Sequence, residues 1–374
     1  MKFDPLCNTE VIFSTIEQMK TRLMSLSVNN IVMIINESSV ERWSLQHFIN
    51  GIQSKYRLTW IKSSIVNPTQ LDIYNALEQI GNKTIDIIIA FGGGSVIDLA
   101  KGISAFYDKD IVPSVEYITN CIKHKTYEIR EQFIDIIAIP STSGTGSELT
   151  QWATIWDIEK TMKFSIDDPR IKPKIALIVP ELTLTLPTNL TLSTGLDALA
   201  HAMEAYWSKY TTPIVQDIAY RAISLIIDNL SPVIQNPSNI NLREKMCRAS
   251  VLAGLAFSKT RTTACHSISY PMTILYGVPH GLAAAMTLDV IGQINRGHFP
   301  NDEDLFKLFR EFDGIQNWMD DVCDGVLKLR LSSFGIVKND IELLVNKSFT
   351  GGRMENNPVN LSENDVNQIL HSIL

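Results

Sequence analysis

Ile88-Ile-Ala-Phe-Gly-Gly-Gly-Ser-Val-Ile-Asp-Leu-Ala-Lys101 reads as a buried strand, a triple glycine and a helix that starts at Ser95. The glycines let a phosphate approach the backbone, and the helix start offers free N–H groups at the positive end of its dipole. A diphosphate fits such a turn. The spacing is neither G-x-G-x-x-G nor G-x-x-x-x-G-K-[ST], so neither common nucleotide fingerprint is present, and a tight turn without a ligand would need the same three residues.

Outward from this stretch the alternation continues. β-Branched runs at 31–35, 57–62, 85–90, 134–139 and 175–179 are separated by amphipathic segments around 13–27, 41–53, 69–81 and 96–107. Strand and helix in alternation predict a parallel sheet covered on both faces, with ligands beyond the carboxyl ends of its strands. A second loop, Pro140-Ser-Thr-Ser-Gly-Thr-Gly-Ser-Glu148, also follows a strand and adds hydroxyls at Ser141, Thr142 and Thr145. Two such loops suit a dinucleotide better than a single phosphate. Asn36-Glu37 closes the first run, where an acidic side chain can accept hydrogen bonds from an adenosine ribose; this favours NAD(H) over NADP(H), although a solvated loop glutamate would look the same. Asn67-Pro68 closes the second run and is placed to meet the same cofactor.

From Leu190 onward the apolar spacing is helical almost throughout, punctuated at Ser231-Pro232, Asn236-Pro237, Pro271, Gly277–Pro279 and Gly351-Gly352. The chain therefore reads as an α/β domain, 1–184, followed by an all-helical domain, 185–374, with the turn-rich Pro180–Pro187 as hinge. A cleft between domains is a common place for a small-molecule site.

At 374 residues and 45% hydrophobic content both domains can bury a core. The N-terminus lacks the apolar core of a signal peptide, and no run of eighteen apolar residues occurs, so a soluble protein is expected. Cys7, Cys121, Cys247, Cys265 and Cys323 are odd in number, widely spaced and without a C-x-x-C pair, as expected of reduced thiols in a cytoplasm. A net charge of −7 without basic blocks disfavours nucleic acid and anionic membranes and leaves a small molecule as the partner.

The helical half carries a candidate metal set. In Gly195-Leu-Asp-Ala-Leu-Ala-His-Ala-Met-Glu-Ala-Tyr206 the pair Asp197 and His201 is spaced i, i+4, so both project from one helix face. His266 lies in Ala-Cys-His-Ser-Ile-Ser-Tyr-Pro, and His280 follows a Tyr-Gly-Val-Pro loop at the start of an alanine-rich helix. One carboxylate and three imidazoles suit Fe2+, Zn2+, Ni2+ or Co2+, and the absence of cysteine argues against a structural zinc site. The bland alternative is a helix-start aspartate and three hydrogen-bonded core histidines.

The Gly-Gly-Gly-Ser turn, the 140–148 loop, Leu182-Thr-Leu-Thr-Leu-Pro187, the 195–206 run and Pro279-His-Gly281 resemble, in order, the iron-containing (group III) alcohol dehydrogenases over nearly the whole chain. The resemblance implies an N-terminal dinucleotide-binding α/β domain and a C-terminal helical metal domain, the architecture shared with dehydroquinate synthase, commonly in a homodimer. It makes Asp197, His201, His266 and His280 the ligands of one divalent metal, Fe2+ or Zn2+, and Gly93, Gly94 and Ser95 the pyrophosphate site. It places Glu37, Asn67, Thr142, Thr145 and Lys163 at cofactor contacts. The implied activity is NAD(P)H-linked interconversion of an aldehyde and its alcohol.

The chain departs from the family beside the third ligand. Four residues after His266, where the family usually has a further histidine, stands Tyr270. With the ordinary tyrosine pKa of about 10, a phenol donates hydrogen bonds but shuttles protons poorly near neutrality. It can equally be a packed side chain beside Pro271, with water or a ribose hydroxyl supplying the proton. Before the ligand, Phe257-Ser-Lys-Thr-Arg-Thr-Thr263 replaces the common Phe-Ser-Asn-x-Gly-Leu-Gly, putting Lys259 and Arg261 where an amide and a glycine are usual. On one continuous helix Lys259 would share a face with His266, whereas Arg261 lies roughly 140° around and turns inward only if the helix breaks there. Such cations pair with phosphonate, phosphate or carboxylate, or else reach solvent. Arg-Thr-Thr and His-Ser-Ile-Ser-Tyr-Pro resemble the phosphonoacetaldehyde reductases within the family, so an anionic aldehyde is expected. Near the C-terminus Asn357-Pro358 is followed by Val359 rather than the usual arginine, and Arg353 is a candidate second anion contact. A dehydrogenase of neutral alcohols or diols, and an NAD-using metal lyase of dehydroquinate synthase type, are the competing readings.

Overall fold

The computed structural model describes residues 8–157, 163–349 and 351–374; Cys7 lies outside them. The chain forms two compact units. One runs to Thr142 and resumes at Ser147–Thr183; the other comprises Ser143–Gly146 and Leu184–Leu374. Four residues of the second glycine loop thus pack with the helical unit.

In the first unit β1 (Glu10–Phe13), β2 (Asn30–Ile35), β3 (Arg57–Ile61), β4 (Ile87–Gly92), β5 (Ile136–Pro140) and β8 (Ile175–Ile178) form a six-stranded parallel sheet in the order β1-β8-β5-β4-β2-β3. The uninterrupted apolar runs follow from covering both faces. Val32, Ile34, Ile88 and Ala90 enter one core, while Ile31, Met33, Ile35, Ile89 and Phe91 enter the other. The first is covered by α4 (Gln70–Ile80), α5 (Gly94–Phe106) and α6 (Val115–His124), the second by α1 (Ile16–Met24) and α3 (Gln46–Lys55). The chain moves from β2 to β3 on one side and then to β4 on the other, so the strand order reverses between β2 and β4. In such sheets the ligand crevice lies at the carboxyl ends of those two strands, which here lead into Asn36-Glu37 and Gly92–Ser95.

Some elements differ from the sequence reading. The segment around 13–27 is helical only from Ile16, because Glu10–Phe13 pairs with β8 as a four-residue edge strand. The segment around 41–53 is two helices, α2 (Glu37–Arg42) and α3, broken where Ser44 takes a φ of 51°. β6 (Trp152–Trp156) and β7 (Lys163–Asp167) form an antiparallel pair whose connection at 158–162 lies outside the described residues.

The second unit contains α7 (Thr188–Trp207), α8 (Pro213–Gln235), α9 (Ile240–Thr260), α10 (Ala264–Tyr276), α11 (His280–Ala285), α12 (Leu288–Asn295), α13 (Asp302–Lys307), α14 (Ile315–Cys323), α15 (Ile341–Ser348) and α16 (Glu363–Ser372). α7, α8 and α9 pack on one another around α7, which is buried along most of its length. Pro232 and Pro271, read from sequence as breaks, lie inside α8 and α10. A proline forfeits one i→i−4 bond and crowds one carbonyl; tertiary packing of these helices outweighs that local cost. Among the described residues no helix is long and apolar enough to cross a membrane, and Cys121, Cys247, Cys265 and Cys323 are buried thiols outside any disulfide.

Candidate active site

α5 starts at Gly94 with Gly93 as its N-cap and no side-chain cap. Its first N–H groups are thus left for an anion. Ser95 accepts a hydrogen bond from the Asn67 backbone at 3.1 Å, which ties the segment after β3 to this turn. Thr142 lies beside Gly93, with its Oγ1 3.5 Å from where a Cβ there would stand. Glu37 opens α2 at the end of β2, with Asn36 capping that helix, and its carboxylate pairs with Lys62. Lys163 opens β7.

Further along α5 the Lys101 ammonium is fully buried. It donates to Ser147 Oγ at 3.0 Å, Thr150 Oγ1 at 3.1 Å and the Trp152 carbonyl at 2.7 Å. Asp98 accepts from Ser147 Oγ at 2.6 Å and the Thr154 N–H at 2.9 Å. The helix that opens at one glycine loop thereby fixes the end of the other. Burial pushes the Asp98 carboxyl up, against the opposing pull of Lys101 and, more weakly, Lys163. Burial also brings Lys101 down to about 8 and pushes Glu148 up to about 7.

In the helical unit Asp197 and His201 project from α7, His266 from the first turn of α10, and His280 is the first residue of α11. His266 Nε2 lies 3.6 Å and His280 Nε2 4.0 Å from Asp197 Oδ1, and Asp197, His201 and His266 gather closely enough to share one ion. α11 reaches α7 because Gly281 has no side chain: a Cβ there would stand 2.0 Å from the Ser193 carbonyl and 2.7 Å from Asp197 Cβ. Phe257 of α9 stacks on the His201 ring at 4.0 Å, and His201 stacks on His266 at 4.5 Å.

Hydrogen bonds fix the ring tautomers. His201 Nδ1 lies 3.2 Å from the Gly144 carbonyl, which can only accept, so that nitrogen carries the proton and Nε2 keeps its lone pair. His266 Nδ1 bonds the buried Glu204 carboxylate, which also accepts from the His266 N–H at 3.2 Å and Thr263 Oγ1 at 2.9 Å. Trp207 Nε1 in turn donates to Thr263 at 3.0 Å. Carboxylate-held imidazoles of this kind are the usual support of metal ligands. Burial would lower His266, but Glu204 and Asp197 raise it to about 10; His201 is brought down to about 4, chiefly by burial. Burial would raise Asp197, yet the three histidines hold it well below the carboxylate range.

Two atoms test whether a metal fits. Among the described residues, Asp197 Oδ1 and His266 Nε2 have no hydrogen-bond partner and are buried. Leaving such atoms unpaired is costly, and a cation removes the cost for both. Tetrahedral ligands at about 2.1 Å stand about 3.4 Å apart, close to the 3.6 Å observed between this pair. The donor set fits a divalent cation.

The cationic segment differs from its sequence reading. α9 ends at Thr260 and α10 begins at Ala264, so Lys259 and His266 occupy separate helices and the shared-face spacing does not apply. The break falls at Arg261, with φ 62° and ψ −179°. Lys259 and Arg261 are exposed. Tyr270 is buried, its ring parallel to His280 within 4° at 5.7 Å, and the Arg353 guanidinium lies 5.3 Å from the centre of the Tyr270 ring. Thr145 belongs to the loop that packs with this unit. Glu204 went unassigned in the sequence, although its i+7 spacing from Asp197 puts it on the same helical stripe.

Known proteins match both units. The iron-containing alcohol dehydrogenase model matches residues 8–180, and that of the family's C-terminal part matches 191–374. The NADPH-dependent butanol dehydrogenase of Clostridium saccharobutylicum is 27% identical over 94% of this chain and 93% of its own. The choline dehydrogenase of Bacillus subtilis (strain 168) is 30% identical over 81% of this chain and 77% of its own. The crystal structure of sulfoacetaldehyde reductase from Bifidobacterium kashiwanohense in complex with NAD+ has a TM-score of 0.86 at 27% identity, covering 100% of this chain and 99% of that one. The chain belongs to the iron-containing alcohol dehydrogenases, oxidoreductases of alcohols and aldehydes that use NAD(P) and a divalent metal.

Proposed function

We propose that the protein reduces a short anionic aldehyde to its primary alcohol with NAD(H), and that phosphonoacetaldehyde, giving 2-hydroxyethylphosphonate, is its substrate. The observation that carries this reading is the Arg353 guanidinium on the Tyr270 ring that stacks on His280, the fourth candidate ligand; Arg261 stands in the break before α10, the helix that bears His266. A guanidinium binds phosphonate through paired hydrogen bonds. The similar sulfoacetaldehyde reductase acts, by its name, on an aldehyde that carries a sulfonate.

When bound, a divalent cation supplies Lewis acidity toward the aldehyde oxygen and a dihydronicotinamide supplies the hydride. Asp197, His201, His266 and His280 would hold the cation. Glu204 holds the proton on His266 Nδ1, so a cation would displace only the Nε2 proton and take that nitrogen's lone pair. Gly93, Gly94 and Ser95 would hold the pyrophosphate, Glu37 the adenosine ribose, and Asn67, Thr142, Thr145 and Lys163 further parts of the cofactor. Glu37 favours NAD(H), because a second negative charge on the ribose would meet its carboxylate. Tyr270 offers a hydrogen bond to the substrate, and Lys259 adds positive charge at the end of α9.

The test is NADH oxidation by the metal-loaded enzyme with phosphonoacetaldehyde and with propanal. A kcat/KM at least about tenfold higher for the phosphonate, about 1.4 kcal/mol of discrimination, is expected. Equal values, or a preference for propanal or a neutral diol product, would replace the anionic reading with that of a dehydrogenase of neutral alcohols.

A further inference from the structure

We infer that Lys62 is a specificity-determining residue for the coenzyme. Its ammonium, paired with Glu37, admits a ribose 2′-phosphate where Glu37 alone would repel one, so the enzyme takes NADPH as well as NADH. This rests on the reading above that puts the adenosine ribose at Glu37.

The sheet builds the pair. β2 and β3 run parallel with Ile34 level with Ile61, so they leave the sheet side by side, β2 into Asn36-Glu37 and β3 into Lys62. β2 is also one of the strands between which the strand order reverses, the place where such sheets bind their ligands. Trp60 and Lys62 lie on one face of the extended chain. The Trp60 Nε1 donates to the Ile35 carbonyl at 3.1 Å, and the Lys62 ammonium lies 5.0 Å from the centre of the Trp60 ring. From there it reaches the Glu37 carboxylate. Asn36 fixes the other partner, its Oδ1 accepting from the Ser38 N–H at 3.1 Å at the start of α2.

Stability does not account for the pair. Its side chains are 54% and 59% exposed, and ion pairs at such positions add little to a fold. What the pair changes is local charge. A lone carboxylate accepts hydrogen bonds from ribose hydroxyls and repels a phosphate attached there. With Lys62 beside it the charges cancel, and the ammonium can turn from the carboxylate to phosphate oxygens through charge-assisted hydrogen bonds. Exclusion of NADPH by Glu37 is thereby reduced to a modest preference for NADH.

Fluorescence titration of the metal-loaded enzyme with NADH and with NADPH, without aldehyde, reads the selection directly. The wild type should bind the two with Kd values within about tenfold of each other. Lys62→Ala should raise the Kd for NADPH about tenfold more than that for NADH, and Lys62→Arg should keep most of the NADPH affinity. Glu37→Gln should shift the ratio toward NADPH. A Lys62→Ala protein with the wild-type ratio, or a wild type that binds NADPH more than about a hundredfold more weakly than NADH, overturns the inference. If Glu37→Gln still shifts the ratio in either case, the ribose reading stands without Lys62. A Glu37→Gln protein with unchanged affinity for both coenzymes sinks the ribose reading itself.

Discussion

Glu204 shows how much of the candidate metal site depends on one side chain beyond the ligands. It is fully buried, yet His266 and Thr263 hold it ionised against the cost of burial. Glu204→Gln keeps the shape and removes the charge that orients His266. Metal affinity, measured by competition with a chelator, should fall by roughly 10–100-fold; an unchanged affinity would show that the carboxylate only fills space. The i, i+4 spacing made Asp197 and His201 legible as a pair in the sequence, because helix geometry alone brings them together. That His266 and His280 join them is a tertiary fact. It depends on the break at Arg261 and on the close approach at Gly281, and neither leaves a periodic signal.

At the scale of elements, α11 packs closely on α7 where Gly281 leaves room. Gly281→Ala places a methyl against the Ser193 carbonyl and Asp197 Cβ. The expected cost is on the order of 1–3 kcal/mol in thermal stability, with loss of bound metal; a variant with wild-type stability and metal content would mean that α11 shifts freely. In the α/β unit, burial pushes Glu148 up to about 7 from an ordinary 4.5. A carboxyl raised in this way stabilises the fold while protonated, so its contribution is complete below about 4.5 and is given up as pH rises through about 7. Glu148→Gln should therefore gain stability over the wild type between about pH 5 and pH 8, measured by denaturant melts, and an equal or falling difference would contradict the assignment. The central strands were legible because burial on both faces makes them continuous apolar runs. β1, β6 and β7 were not: they are four or five residues long and only partly buried. The prolines inside α8 and α10 misled the reading in the other direction, since local propensity yields to packing.

At the scale of the whole molecule, the sequence resemblance and both family models agree on an iron-containing alcohol dehydrogenase, while substrate and cofactor preference rest on a few side chains. The acidic balance, −7 overall, does not count against the proposed anionic substrate, because the Arg353 guanidinium on the Tyr270 ring beside His280 would act locally. The central claim is that Asp197, His201, His266 and His280 hold one divalent metal that the reductase activity requires. Elemental analysis of the purified protein, paired with NADH oxidation before and after chelation, tests it most directly. The expected result is about one Fe2+ or Zn2+ per chain, lost on chelation together with activity and restored with the metal. Full activity in a protein stripped of metal would contradict it.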